Sequence, residues 1–142
     1  MKKNLIVFTT IVMFTCALKA QVVINPDTLS LSNDDDNISI VKLEETKEAT
    51  SFLIRVRDEV PPHYHENHTE HVYVIEGRGI MLLNDELIEI GPGHIISLPP
   101  GTVHAVKRKG DLPLKVLSVQ APQFNGSERT PAESPLWPIE HE

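Results

Sequence analysis

Cysteine is almost absent from this chain: of 142 residues only Cys16 carries a thiol, and it lies in the N-terminal stretch. One cysteine forms no intrachain disulfide, and a chain processed after residue 20 keeps no thiolate to act as metal ligand or nucleophile. Basic charge is also scarce, with 13 Lys and Arg against 20 Asp and Glu. That balance argues against general nucleic-acid binding, which requires neutralised phosphates. The one basic cluster, Lys107-Arg108-Lys109, abuts Gly110-Asp111 and reads as an exposed hairpin turn rather than an anion site. A helical apolar period of useful length is missing as well. Glu44 to Ala49 would hold one turn of helix at most and reads instead as a loop between strands.

What is present begins at the N-terminus. Lys2 and Lys3 precede a mostly apolar run from Leu5 to Leu18, and Ala20 is a small residue suited to the position before cleavage. This is the arrangement of a secretory signal peptide over residues 1–20, short for a membrane span of about 20 apolar residues. The alternatives are a retained helical anchor and a lipoprotein signal at Cys16, for which Met13-Phe14-Thr15 is a poor lead-in. Cleavage near Ala20 leaves 122 of the 142 residues, enough for one domain stabilised by its core. Removing Lys2, Lys3 and Lys19 from the 13 basic residues leaves ten against 20 acidic ones, a formal charge of −10. The expected location is a periplasm or the cell exterior, with no stable membrane anchor.

Residues 21–36 form a polar lead-in with at most one short strand, Val22 to Ile24. Its Asp34-Asp35-Asp36 run lacks the alternating spacing and distal Glu of a calcium loop and reads as a solvated turn. From Ile38 onward the chain is a succession of short strands: Ile38 to Leu43, Phe52 to Arg57, His71 to Glu76, Gly79 to Leu83, Glu86 to Ile90, His94 to Leu98, Thr102 to Lys107 and Leu114 to Gln120. Gly77, Asn84-Asp85, Gly91-Pro92-Gly93, Pro99-Pro100-Gly101 and Gly110-Asp111 punctuate them. Even spacing with turn chemistry at each end predicts an all-β sandwich or barrel. Residues 123–142 carry Pro131, Pro135 and Pro138 and read as an irregular tail. Its apolar Phe124, Leu136, Trp137 and Ile139 either staple it across the barrel or dock on a partner subunit.

The chemistry-bearing residues are His63 and His65, Glu70 five residues on, and His104 after a Pro-Gly turn. Imidazoles two apart in a strand project from one face. With a nearby carboxylate and a third imidazole they make a three-nitrogen, one-oxygen set for a divalent metal, with coordination positions left open.

These residues resemble the two motifs of the cupin superfamily, G-x5-H-x-H-x(3,4)-E-x6-G and G-x5-P-x-G-x2-H-x3-N. His63, His65, Glu70 and Gly77 fall on the first; Gly93, Pro99, Gly101 and His104 fall on the second. The leading Gly of the first motif is Arg57 here, and the closing Asn of the second is Arg108. The resemblance implies a double-stranded β-helix (jelly-roll) barrel over residues 37–122, with one divalent ion (Fe, Mn, Zn or Ni) held inside by His63, His65, Glu70 and His104. It also implies a homodimer, with Trp137 and Phe124 helping to cover the interface. Alternation then puts Val72 and Val74 on the side of Glu70, as an apolar wall.

Among the other polar residues, His71 is expected on the opposite face, at the surface, and Tyr73 with it, packed between sheets. His68 reads as a solvated loop histidine, with a gate or proton carrier as the alternative. His94 and His141 read as structural or incidental. Arg55 and Arg57 share a face and are expected to be exposed; a luminal Arg55 would hold a substrate carboxylate. Two functions stay open. One is a metal-dependent enzyme on a small polar metabolite, a dioxygenase first, then an isomerase or decarboxylase. The other is a non-catalytic secreted module that binds a small ligand with a structural or ligand-capturing metal.

Overall fold

The computed structural model describes residues 22–29, 31, 36–124 and 126–138. The signal peptide over 1–20, Asp34 and Asp35 of the acidic run, Ile139 and His141 lie outside the described residues. Ten strands run in order: β1 (Ile38–Glu45), β2 (Thr50–Val56), β3 (Glu59–Tyr64), β4 (Thr69–Glu76), β5 (Arg78–Leu83), β6 (Glu86–Ile90), β7 (Ile95–Leu98), β8 (His104–Lys109), β9 (Leu114–Ala121) and β10 (Thr130–Pro131). Among the described residues there is no helix, and so none long and apolar enough to cross a membrane. Val22 to Ile24 form no strand.

The strands make two five-stranded antiparallel sheets, β1-β2-β9-β4-β7 and β10-β3-β8-β5-β6, in a jelly-roll arrangement. Alternation decides what fills the space between them. Phe52, Ile54 and Val56 of β2, Val72 and Val74 of β4, and Leu114 and Val116 of β9 all line the interior or its core. Register then sorts the interior into layers. On the first sheet Thr50 pairs with Gln120 and Glu70 with both Gln120 and Leu98; on the second, His63 pairs with His104. The polar inward residues therefore gather at one end of the sandwich, and the buried cluster of Val74, Met81, Ile90, Ile96, Leu114 and their neighbours fills the rest.

The outward face of the first sheet is partly covered. Leu53 alternates with Phe52 and Ile54 and so faces away from the interior, yet it is 1% exposed. Lys115, on the same face, bonds to Asp27 of the lead-in, and Leu31 is buried. Tyr73 is also on this face and is 43% exposed, so it does not pack between the sheets. Arg57 is exposed, whereas Arg55 is half-buried beside Ser39.

Two strands escape the periodic signal. β3 contains Pro61-Pro62, which lack donors for the ladder, and its pairing with β8 shifts register between Val60 and His63. β10 lies within the tail and pairs with Tyr64 and His63 of β3, so the tail is not wholly irregular.

Gly77 joins β4 to β5 at φ 77°, and a Cβ there would meet the Pro113 carbonyl oxygen at 2.3 Å. Gly93 has φ 89° but open space around it. Gly77→Ala should thus carry both a left-handed backbone cost of about 1–2 kcal/mol and a further overpacking cost of about 1–3 kcal/mol. Gly93→Ala should carry only the first. Urea unfolding of both variants checks this; equal losses would contradict the role given to the Pro113 contact.

Candidate metal centre

His63 comes from β3, His65 from the residue just past it, and His104 from the start of β8, all on one sheet. Glu70 comes from β4 on the other sheet. The four side chains meet across the interior, and each is buried. Ring centroids are 4.2 Å apart for His63 and His104, 5.4 Å for His63 and His65, and 5.6 Å for His65 and His104. One nitrogen from each imidazole lies within 4.8 Å of the other two.

Each Nδ1 is committed to a main-chain carbonyl: His63 to Pro61 at 2.9 Å, His65 to Glu128 at 2.6 Å, His104 to Thr102 at 2.9 Å. A carbonyl only accepts, so each Nδ1 carries a proton, and Nε2 is the nitrogen left to face the Glu70 carboxylate or a cation. Glu70 is held in the same way. The Ser118 hydroxyl, fully buried, donates to its Oε1 and leaves Oε2 facing the imidazoles. Oε2 lies 3.5 Å from Nε2 of both His65 and His104.

This is the test of whether a metal fits. Three nitrogen lone pairs and a carboxylate oxygen facing one another in a buried space repel unless a cation sits among them. The outer ring nitrogens tied to carbonyls are the supporting pattern that orients metal-ligating histidines. The cluster is thus compatible with a single metal ion.

The charges around the cluster also shift its titrating groups. Burial is the strongest influence on His65 and favours its neutral form, but the Glu70 carboxylate and the Glu128 carbonyl outweigh it, and the pKa is raised above 6.5. Burial also works against ionised Glu70, but contacts with His104, His65 and Ser118 more than offset it, holding the carboxyl well below the usual range. His63 goes the other way. Burial, and then the charges of His104 and Arg129, push its pKa down to about 3.

A strap from the tail closes over the cluster. Glu128 pairs with Nδ1 of His68 and with Asn67, and the Gln123 carbonyl meets His68 Nε2 at 2.9 Å. His68 is thus a buried residue of the site wall and not a solvated loop residue; its partners lie 55 and 60 positions away in sequence, beyond any local signal. Phe124 packs edge-on against His65, His68 and Phe52 and is tied to Thr50 through its backbone, so it staples the tail inward. His71 is exposed, as expected, and His94 accepts the Gly91 N–H at 3.3 Å in a local turn.

The cluster opens on a cavity of ≈ 160 Å³ that its four side chains help to line. Val72 belongs to its wall beside Glu70, together with Phe52, Ile54 and Phe124. It extends to β1, where Ile40 is 55% exposed. Besides the four cluster residues, its polar lining is Gln120 and Arg129.

A family profile described as "Cupin domain" matches residues 52–120. An uncharacterized protein of Aquifex aeolicus is 28% identical over 98 residues, 69% of this chain and 80% of that protein. Quercetin 2,3-dioxygenase of Bacillus subtilis is 38% identical over 50 residues, 35% of this chain but only 15% of that protein. Among solved structures, a conserved protein with a double-stranded β-helix domain from Klebsiella pneumoniae superposes with a TM-score of 0.70 at 20% identity, over 81% of this chain and 100% of that one. At that identity the likeness is one of fold.

The depressed His63 pKa sets a pH dependence. Between its ordinary 6.5 and about 3 the unfolded chain binds a proton at this residue and the folded chain does not. Its contribution to stability is complete above 6.5 and is lost as pH falls toward 3. Glu70 acts in the same sense at the acid end, and His65 in the opposite sense. Thermal unfolding of chelator-treated protein should show a midpoint that drops over this range, with a smaller drop in His63→Gln. A variant with the full drop would remove His63 as the cause.

Proposed function

Because this chain is a member of the cupin superfamily, we propose that it is a metal-dependent enzyme acting on a small polar metabolite. Dioxygenase chemistry comes first, with isomerase or decarboxylase chemistry behind it. The observation that carries this reading is the convergence of three oriented Nε2 atoms and Glu70 Oε2 beside a cavity large enough for a ligand. His63, His65, Glu70 and His104 are taken as the ligands of one divalent ion, Fe, Mn, Zn or Ni. When bound, the ion would supply Lewis acidity or, as iron, a redox centre for dioxygen chemistry. The chain's own part is to fix the imidazole tautomers, to hold Glu70 ionised, and to keep bulk water from the reacting groups with an apolar wall. The local likeness to a quercetin 2,3-dioxygenase is what puts the dioxygenase reaction first.

A second reading, a non-catalytic cupin that binds a small ligand with a structural or ligand-capturing metal, has one observation in its favour. Outside the four ligand positions the cavity's polar lining is Gln120 and Arg129, neither of which serves as a general acid or base near neutrality.

Export to a periplasm or the cell exterior after cleavage near Ala20 belongs to the same proposal, as does a homodimer. For the dimer, the cross-strand neighbours Tyr73 and Ile95 form an exposed apolar pair on the outward sheet face, 43% and 72% exposed. A solution mass of one chain would remove the dimer.

Anaerobic purification with elemental analysis should find one equivalent of metal, lost in His104→Ala. The protein reloaded with Fe(II), Mn(II), Ni(II) or Zn(II) is then screened for oxygen uptake and substrate turnover. Metal-dependent turnover abolished in His104→Ala supports the enzyme. Loss of stability or ligand affinity in that variant, with no turnover in any metal form, supports the second reading.

A further inference from the structure

Two polar residues that line the cavity take no part in the metal cluster: Gln120, which is buried, and Arg129, an exposed residue at its rim. Gln120 is 5% exposed, between Thr50 and Glu70 on the neighbouring strands, and its Oε1 is buried without a donor. A buried amide oxygen left in this state is costly, and a native site that keeps one calls for a reason. Arg129 approaches from the tail, with its Nη2 3.3 Å from His63 Nδ1. That nitrogen already donates to the Pro61 carbonyl, so it offers the guanidinium no lone pair. Among the described residues no carboxylate lies within ion-pair distance of Arg129, although the Glu70 charge acts on it from farther away, and its exposed fork of donors is open to a ligand.

Gln120 lies beside Glu70 and Arg129 beside His63, and both line the same cavity. One asks for a donor, the other for an anion. The cavity as a whole measures ≈ 160 Å³, and apart from these polar residues it is walled by apolar side chains such as Phe52, Ile54 and Phe124. A dry apolar cavity of about 150 Å³ accommodates one benzene ring.

We propose that the cavity binds a hydroxy acid whose apolar body is the size of one aromatic ring. Its carboxylate takes the Arg129 fork, its hydroxyl donates to Gln120 Oε1, and its ring packs among Phe52, Ile54 and Phe124. This ligand class deepens the proposed function and rests on the cavity being the substrate site. It also narrows "polar metabolite" to an amphipathic one.

The test is calorimetric titration of the full chain, zinc-loaded and with its zinc content measured beforehand. The probe is mandelate, which carries ring, hydroxyl and carboxylate together. Lactate, phenylacetate and benzyl alcohol each lack one of the three. Mandelate should bind about tenfold or more tighter than each, since one good polar contact corresponds to roughly that factor. Gln120→Leu should weaken mandelate about tenfold while leaving phenylacetate unchanged. It should also raise the thermal midpoint of the ligand-free protein, because it removes an unpaired amide; a merely structural Gln120 would lower it. Gln120→Met serves the same purpose if the leucine variant does not fold. Arg129→Met should weaken mandelate and phenylacetate but not benzyl alcohol, with partial recovery in Arg129→Lys. Mandelate binding no tighter than lactate, or a variant that weakens every probe alike, overturns the assignment. A chain that holds no zinc yet discriminates among the probes would instead sink the metal reading and leave this one standing.

Discussion

Four groups that each present a lone pair or negative charge are packed into one buried space between two sheets, and they cohere only around a positive charge. The cost of burying an ionised Glu70 and two or three imidazole lone pairs without one is several kcal/mol by any accounting of desolvation and repulsion. The Glu70 carboxylate already raises the proton affinity of His65; a divalent ion would meet the requirement in full. Because Glu70 belongs to one sheet and the histidines to the other, the cation also ties the two layers of the sandwich together at their polar end. Occupancy of the site and stability of the fold are therefore linked quantities.

The backbone is arranged to deliver these groups and little else to that end. Pro61-Pro62 breaks the β3 ladder just before His63, and the register shift there brings His63 opposite His104. Leu98 and Val72 pack beside Glu70, and the apolar wall continues into the cavity. A low-polarity surround strengthens each electrostatic contact inside it, the favourable and the unfavourable alike. The tail completes the enclosure through Phe124 and Glu128, with Thr50 as its fully buried anchor on β2.

Much of this was legible in the sequence because period-2 alternation and turn residues report directly on strands. Val72 and Val74 on the side of Glu70 follow from alternation alone, as does the shared face of Phe52, Ile54 and Val56, which the structure turns inward. β3 was hidden because two prolines mask the period on the strand that carries His63. His68 was misread because its neighbours in sequence are polar, while its neighbours in space are Phe124, Glu128 and Gln123. Gln120 and Ser118 did leave a signal. They are polar residues at inward positions of β9, whose other inward positions are Leu114 and Val116, and polar residues on a core-facing stripe mark a site. Arg129 left none, since only the pairing of β10 with β3 brings it to the cavity.

The acceptors that orient the three imidazoles are all main-chain oxygens, those of Pro61, Thr102 and Glu128. Every residue type has such an oxygen. Substitution at these positions leaves the orienting atom in place wherever the backbone path is kept, so the site's outer shell is insulated from point mutation. What it does not tolerate is a change in chain length. An insertion or deletion between Phe124 and Arg129 would move the Glu128 carbonyl off His65, however conservative the residues involved. Over evolutionary time such a site should allow its flanking side chains to drift while the spacing of its loops stays fixed.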